Sequence, residues 1–187
     1  MSFQHHFTTF PVLETERLIL RSFTQNDSTD ADALFLMLSD SESAKFFGNT
    51  PMDSKEKAVL LIGRSRQRFE SMEMIRWAIT LKDNGTVIGM VIARDFELEA
   101  AGDLEYIILP EYWGKGYMTE ALRAVIAYGF DILELKRLQA KVMPENVASL
   151  AVLRKLHFQQ EGLLRQYPFG LWITDTLMFS LLDSEWK

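Results

Sequence analysis

The chain contains no cysteine. Disulfides, thiolate nucleophiles and cysteine-held metals are therefore excluded. Histidine is nearly as scarce, with only His5, His6 and His157. No His-Glu-x-x-His stretch exists, so no zinc site is expected, and no other metal is expected either. A Ser-His-Asp hydrolase would have to use His157, which lies between apolar Leu156 and Phe158 and has no Gly-x-Ser-x-Gly partner motif. There is no long uncharged apolar run, so no membrane-spanning helix and no membrane partner are expected. Residues 1–10 lack the basic-then-apolar order of a secretory signal, and together with the missing cysteine this suggests a cytoplasmic location. Repeats, low-complexity tracts and linkers are also missing, so residues 1–187 read as a single domain with room for a sizeable core. A net charge of -6 argues against nonspecific nucleic-acid binding and mildly favours a cationic partner.

What is present centres on Trp113-Gly114-Lys115-Gly116-Tyr117-Met118-Thr119-Glu120-Ala121. Upstream, Leu104 to Leu109 reads as a buried strand stopped by Pro110. Downstream, Met118, Ala121, Leu122, Val125, Ile126, Gly129, Phe130 and Leu133 recur at helical spacing. Strand, short loop, Gly-x-Gly and helix start form one unit. A helix start offers unpaired N–H groups and a partial positive charge, and glycine removes the Cβ that would hold a phosphate away. Two readings remain open here, a diphosphate site and a tight loop that needs glycine for its geometry. Thr119 stands where a dinucleotide motif would place its third glycine, and no Gly-x-x-x-x-Gly-Lys-Ser/Thr exists, which argues against dinucleotides and nucleoside triphosphates.

The rest of the chain supplies a sheet. Arg17 to Phe23 reads as a first strand, broken at Asn26-Asp27-Ser28, and Asp30 to Leu38 as a helix. Gly48 to Pro51 is a loop, and Ser54 can cap a second helix carrying Ala58, Leu61, Ile62 and Phe69. Met74 to Leu81 and Val87 to Ala93 alternate around an Asn84-Gly85 hairpin turn, and a loop over Leu98 to Gly102 leads into the Leu104 strand. Arg137 to Val142 is a strand, and Asn146 can cap a helix with Ala148, Ala151, Val152, Leu153 and Leu156. Phe158 to Leu164 and Trp172 to Leu182 close the chain as strands. A strand–helix–strand unit around the glycines implies one parallel crossover in an otherwise antiparallel sheet.

These motifs, in this order and spacing, resemble the GNAT acyl-CoA-dependent N-acetyltransferases, and within them the ribosomal-protein N-terminal acetyltransferase (RimJ/RimL)-like branch. The resemblance spans nearly the whole chain, from Glu14-Thr15-Glu16-Arg17-Leu18-Ile19-Leu20-Arg21 through the glycine stretch and Asn146-Val147-Ala148-Ser149 to Leu153-Arg154-Lys155-Leu156-His157-Phe158 and Trp172-Ile173-Thr174-Asp175. It implies an α/β (α+β) fold with a mixed, mostly antiparallel central sheet splayed around the acyl-CoA site and flanked by helices. It also implies acetyl transfer from acetyl-CoA to an amine by direct attack in a ternary complex. The expected acceptor is the N-terminal α-amine of a protein or peptide. The alternatives are a small-molecule amine, such as a polyamine or antibiotic, and a non-catalytic acyl-CoA-binding module. A monomer or homodimer is expected.

The same resemblance suggests site residues. Gly114, Lys115, Gly116, Tyr117, Met118 and Thr119 would hold the pyrophosphate, and the backbone of Ile107, Ile108 and Leu109 the pantetheine. Asn146, Ser149 and Arg154 would add further contacts. Ser149 would protonate the leaving thiolate, since the tyrosine many relatives carry on this helix is Leu153 here. Glu105 is the expected base, with Asp103 as the alternative; strand alternation puts both on one face and Tyr106 on the other.

Overall fold

Alternating apolar residues build the expected hairpins, and the sheet they join is wider than hairpins alone would give. Among residues 3–24 and 28–186, which the computed structural model describes, eight strands form one sheet. Its order is β1 (Leu13–Glu14), β2 (Leu18–Arg21), β3 (Met74–Leu81), β4 (Val87–Arg94), β5 (Ala101–Ile108), β6 (Arg137–Val142), β8 (Trp172–Leu182) and β7 (Gln159–Phe169). Every neighbouring pair is antiparallel except β5–β6. That parallel step needs a crossover, and helix α4 (Tyr117–Ala127) provides it. The break expected at Asn26-Asp27 lies outside the described residues.

Helices cover both faces. On one side α4 and α5 (Val147–Lys155) bury Ala121, Leu122, Val125 and Leu153 against Ile75, Trp77, Ile79 and Val91. On the other, α1 (Ser28–Ser39) and α3 (Lys55–Glu70) bury Leu34, Met37, Ala58 and Ile62 against Met74, Ala78, Met90 and Ile92. This is why β3 is buried at all eight positions although its sequence alternates.

Local chemistry sets the element ends. Asn84 Oδ1 accepts from the Thr86 amide at 2.9 Å and Gly85 adopts φ +71°, closing the β3–β4 hairpin as its sequence predicts. Asp30, fully buried in the first turn of α1, takes both terminal nitrogens of Arg21 at 2.7 and 2.8 Å and the Thr24 amide at 2.7 Å. A short helix, α2 (Ser41–Phe46), was not expected, because six residues carry too little periodicity to read; its signal is Asp40, whose side chain caps the Ser43 amide at 2.8 Å. Ser54 occupies the cap position of α3, but its side chain makes no capping bond. Gly102 belongs to β5 rather than to the preceding loop, and a Cβ there would meet the Phe96 ring at 3.3 Å.

The link between α2 and α3 rests on the turn of the β7–β8 hairpin. Leu171 donates to the Gly48 carbonyl at 2.7 Å, and the two glycine backbones touch. Gly170 has φ +59°, and a Cβ on it would overlap the Gly48 carbonyl. Gly170→Ala is therefore expected to lose at least ~1–2 kcal/mol from its left-handed backbone alone. Urea unfolding checks this; an unchanged midpoint would mean that the turn and the α2 segment do not pack as described.

Candidate active site

β5 and β6 pair only at Ala101–Arg137, Gly102–Leu138 and Asp103–Gln139, and then part. Leu109 donates to the Ile88 carbonyl of the β4 side at 2.9 Å. By antiparallel alternation, Glu105 and Ile107 also turn their backbone groups to β4, while Tyr106 and Ile108 turn theirs into the opening. Two cavities meet there, sharing Phe46, Phe47, Tyr106, Asn146 and Ser149 as walls.

The larger, of about 550 Å³, runs from the opening to the glycine loop between β5, α4 and α5. Gly114 and Gly116 adopt φ +72° and +80°, and Gly116 is the residue that starts α4. Among the described residues, no side chain and no carbonyl outside the helix accepts from the amides of Gly114 to Thr119. The loop is braced from outside. Glu120 takes the Thr15 hydroxyl at 2.6 Å, the Arg17 amide at 2.8 Å and Arg17 Nε at 2.7 Å. Arg17 also donates to the Lys115 carbonyl at 3.1 Å and stacks 4.4 Å from the Tyr117 ring. Burial pushes the Glu120 carboxyl up, but the Thr15 hydroxyl and the Arg17 amide and guanidinium outweigh it and hold the carboxyl below its usual range.

At the junction, Asn146 caps α5 through Oδ1, which accepts from the Ser149 amide at 3.0 Å, and no protein acceptor meets its Nδ2 among the described residues. Ser149 Oγ lies 2.7 Å from the Tyr106 hydroxyl. Burial raises the Tyr106 hydroxyl above its ordinary range, partly offset by Ser149, so the phenol stays protonated at neutral pH. Leu153 is fully buried in the core. A phenol therefore reaches the junction from β5 instead of from α5. Tyr106 projects to the α4/α5 face as alternation predicts, but the opening exposes it to both cavities.

The smaller cavity, of about 410 Å³, lies on the α3 side and carries the carboxylates. Asp103 is buried with both oxygens engaged, one by Gln139 and one by Lys141. Glu105 is paired with Arg94, whose two donors both reach Oε1, so no protein donor meets Oε2 among the described residues. Arg94 also reaches Asp95 at 2.6 Å.

A model of the acetyltransferase (GNAT) domain matches residues 17–159. The chain belongs to the GNAT acetyltransferase family. It is 37% identical over 161 residues to the uncharacterized N-acetyltransferase YoaA of Bacillus subtilis, covering 86% of this chain and 89% of that one. Mycobacterium smegmatis RimJ, solved with CoA-disulfide, superposes with a TM-score of 0.78 at 25% identity, over 94% of this chain and 87% of that one. A spermidine N(1)-acetyltransferase of Escherichia coli is 42% identical over 60 residues, 32% of each chain.

In this GNAT acetyltransferase, Ile107, Ile108, Gly114, Gly116, Tyr117, Met118, Thr119, Asn146 and Ser149 all line the larger cavity. Three expected residues stand apart from it. Leu109 is buried in the α1/α3 core; Lys115 turns its ammonium over the Tyr112 ring at 5.3 Å; and Arg154 is exposed outside both walls. Lys155, unlike Arg154, lines the larger cavity, because α5 presents Ala148, Ala151, Val152 and Lys155 as one helical stripe. The sequence reading missed Thr15 and Arg17, whose signal was the Glu14 to Arg21 opening, and Glu120, which lies in the glycine stretch itself. It also missed Trp113, whose indole donates to the Ile108 carbonyl at 2.8 Å.

Because the Glu120 carboxyl is held low in the folded state, its stabilisation is present above the unfolded value of about 4.3 and fades as pH falls through the lower folded value. Glu120→Gln is expected to cost about 1–2 kcal/mol at pH 7 and much less near pH 3. Thermal unfolding of both proteins across that range decides it; a difference that does not shrink with acid would place the loss elsewhere.

Proposed function

We propose that this acetyltransferase moves an acetyl group from acetyl-CoA to the N-terminal α-amine of a protein or peptide, by direct attack in a ternary complex. The observation that carries the reading is the Ser149–Tyr106 pair at the junction of two cavities, one fitted to each substrate. The free amides of the glycine loop fit a pyrophosphate, and the unpaired β5 edge fits an amide-bearing arm. When bound, acetyl-CoA supplies an activated acyl carbon with a thiolate leaving group.

The residues of this chain then have separate tasks. Glu105 Oε2, free of protein donors among the described residues, takes the proton from the acceptor amine directly or through water. Asp103, with both oxygens engaged, is the poorer base and holds β5 to β6. The backbone N–H groups facing the opening stabilise charge on the carbonyl oxygen. Ser149 donates a hydrogen bond to the departing sulfur, the neutral Tyr106 hydroxyl holds Ser149 in place, and the proton taken from the amine by Glu105 balances the one the thiolate finally gains from solvent.

The charge of the acceptor cleft favours an α-amine over a polyamine. A polyamine needs unpaired carboxylates, whereas Asp103 and Glu105 are already matched by Lys141 and Arg94. An α-amine titrates near ~7.7–8.0 against ~10.4 for an alkylamine and needs less help from a half-neutralised base.

Ser149→Ala is expected to lower kcat by roughly 10- to 100-fold while leaving acetyl-CoA affinity within about twofold, since one bond to a charged group is worth ~1.5–3 kcal/mol. Tyr106→Phe should lower kcat less. Stopped-flow turnover with calorimetry of binding measures both; an unchanged chemical step in Ser149→Ala would return Ser149 to a helical role. Glu105→Gln should slow turnover at pH 7 and approach wild type above about pH 8, where the amine loses its proton unaided. The pH–rate profiles of Glu105→Gln and Asp103→Asn test this, and a slow Asp103→Asn beside a normal Glu105→Gln would reverse the assignment.

A further inference from the structure

The acceptor cleft holds a cation that none of these tasks uses. Arg76 lines its wall yet is only 8% exposed. One terminal nitrogen donates to Ser65 Oγ at 2.6 Å, and its Nε is buried without a partner. Among the described residues, no carboxylate forms an ion pair with it. Glu105, whose charge acts on Arg76 across the cleft, is bonded to Arg94 instead. Burial pushes the guanidinium down to about 10 against the pull of Glu105, so it remains charged at neutral pH. A buried unpaired charge is strongly unfavourable, and ordinary packing gives no reason to keep one. Ser65 does not need it either, because its hydroxyl already donates to the Leu61 carbonyl at 2.6 Å. The cleft wall carries four cations, Arg68, Arg76, Arg94 and Lys141, against three carboxylates, Asp95, Asp103 and Glu105. Arg94 meets Asp95 and Glu105, Lys141 meets Asp103 and Arg68 meets Glu73 outside the wall, which leaves Arg76 as the wall cation with no ion pair among the described residues, despite the acidic balance of the whole chain.

We propose that Arg76 receives an acidic side chain at the first or second position of the acceptor's N-terminus. This rests on the α-amine reading above. Register supports a side chain over a free amino acid's own carboxylate. Arg76 faces Ile92 and Ile92 faces Glu105, so two strand spacings, about 10 Å, separate the guanidinium's strand from the base's strand. An α-carboxylate lies within about 4 Å of its own amine, whereas a peptide gains about 3.5 Å per residue and adds the side chain's reach. Arginine meets such a carboxylate with paired donors.

The test compares kcat/KM for N-terminal peptides matched as Asp/Asn and Glu/Gln at positions one and two, with free glutamate and spermidine as further acceptors. Wild type should prefer the acidic peptide by about tenfold. Arg76→Met should reduce that preference below about twofold and raise Tm, because it replaces an uncompensated charge with an apolar chain of similar length. Should Arg76→Met fail to fold, Arg76→Lys decides, since an ammonium lacks the paired donors: a preference below half of wild type supports the assignment and an undiminished one overturns it. Equal wild-type rates on acidic and amide peptides overturn this inference and leave the α-amine reading standing. Acetylation of spermidine or free glutamate with no peptide acetylated overturns both. A preference that survives Arg76→Met, with a lowered Tm, makes Arg76 a structural residue and overturns the proposal.

Discussion

The divergence of β5 from β6 after Asp103–Gln139 is the constraint on which the site depends. A sheet that stops pairing in its middle leaves backbone donors and acceptors without partners, an unfavourable state inside a fold. The last rung before the opening is tied by side chains, with Asp103 of β5 held by Gln139 and Lys141 of β6. Beyond it the two strands are held apart by what lies between them. α5 enters under the gap with Asn146 as its cap, and Trp113 folds back to satisfy the Ile108 carbonyl. The polar edge that remains is open, and the same defect in the sheet creates the meeting point of two cavities.

The position of the glycine loop depends on the start of the chain. Arg17 and Arg21 flank and end β2, and each grips a carboxylate in the first turn of a helix: Glu120 of α4 on one face of the sheet and Asp30 of α1 on the other. Acid at a helix N-terminus is favourable by itself, and a fixed arginine also sets where that terminus lies. A short strand near the sheet edge thereby orients two helix starts about 90 residues apart in sequence, one of which presents the free amides of Gly114 to Thr119.

Strand and helix identity were legible wherever apolar periodicity was strong, as in β3, β4, β6, α4 and α5. The parallel crossover followed from order alone. The glycine loop was legible because φ above zero selects glycine at Gly114 and Gly116. Shorter or non-local features were not. α2 is too short for a period, and Ser54 looks like a capping residue but makes no capping bond. The Arg17–Glu120 clamp joins residues 103 apart, and no local pattern announces it. Alternation placed Asp103 and Glu105 on one face and Tyr106 on the other. It could not reveal that Tyr106 also reaches Ser149 across the opening, because that contact exists only where β5 and β6 part. Whether Arg154 or Lys155 faces the groove depends on the rotation of α5, which the cap at Asn146 fixes in three dimensions.

The pairing of charges in the smaller cavity bears on the chemistry proposed for it. A carboxylate that deprotonates an alkylamine has to overcome a gap of about six units between ~4.3 and ~10.4, and one that deprotonates an α-amine near ~8 a gap of about four. Under the proposed α-amine reading, the smaller gap is the one that Glu105 has to close. Arg94 fixes the carboxylate, because both its donors reach Oε1, and it leaves Oε2 without a protein donor among the described residues. Under the proposed direct transfer, a carboxylate held in one place helps to hold the amine in a fixed geometry against the acyl carbon.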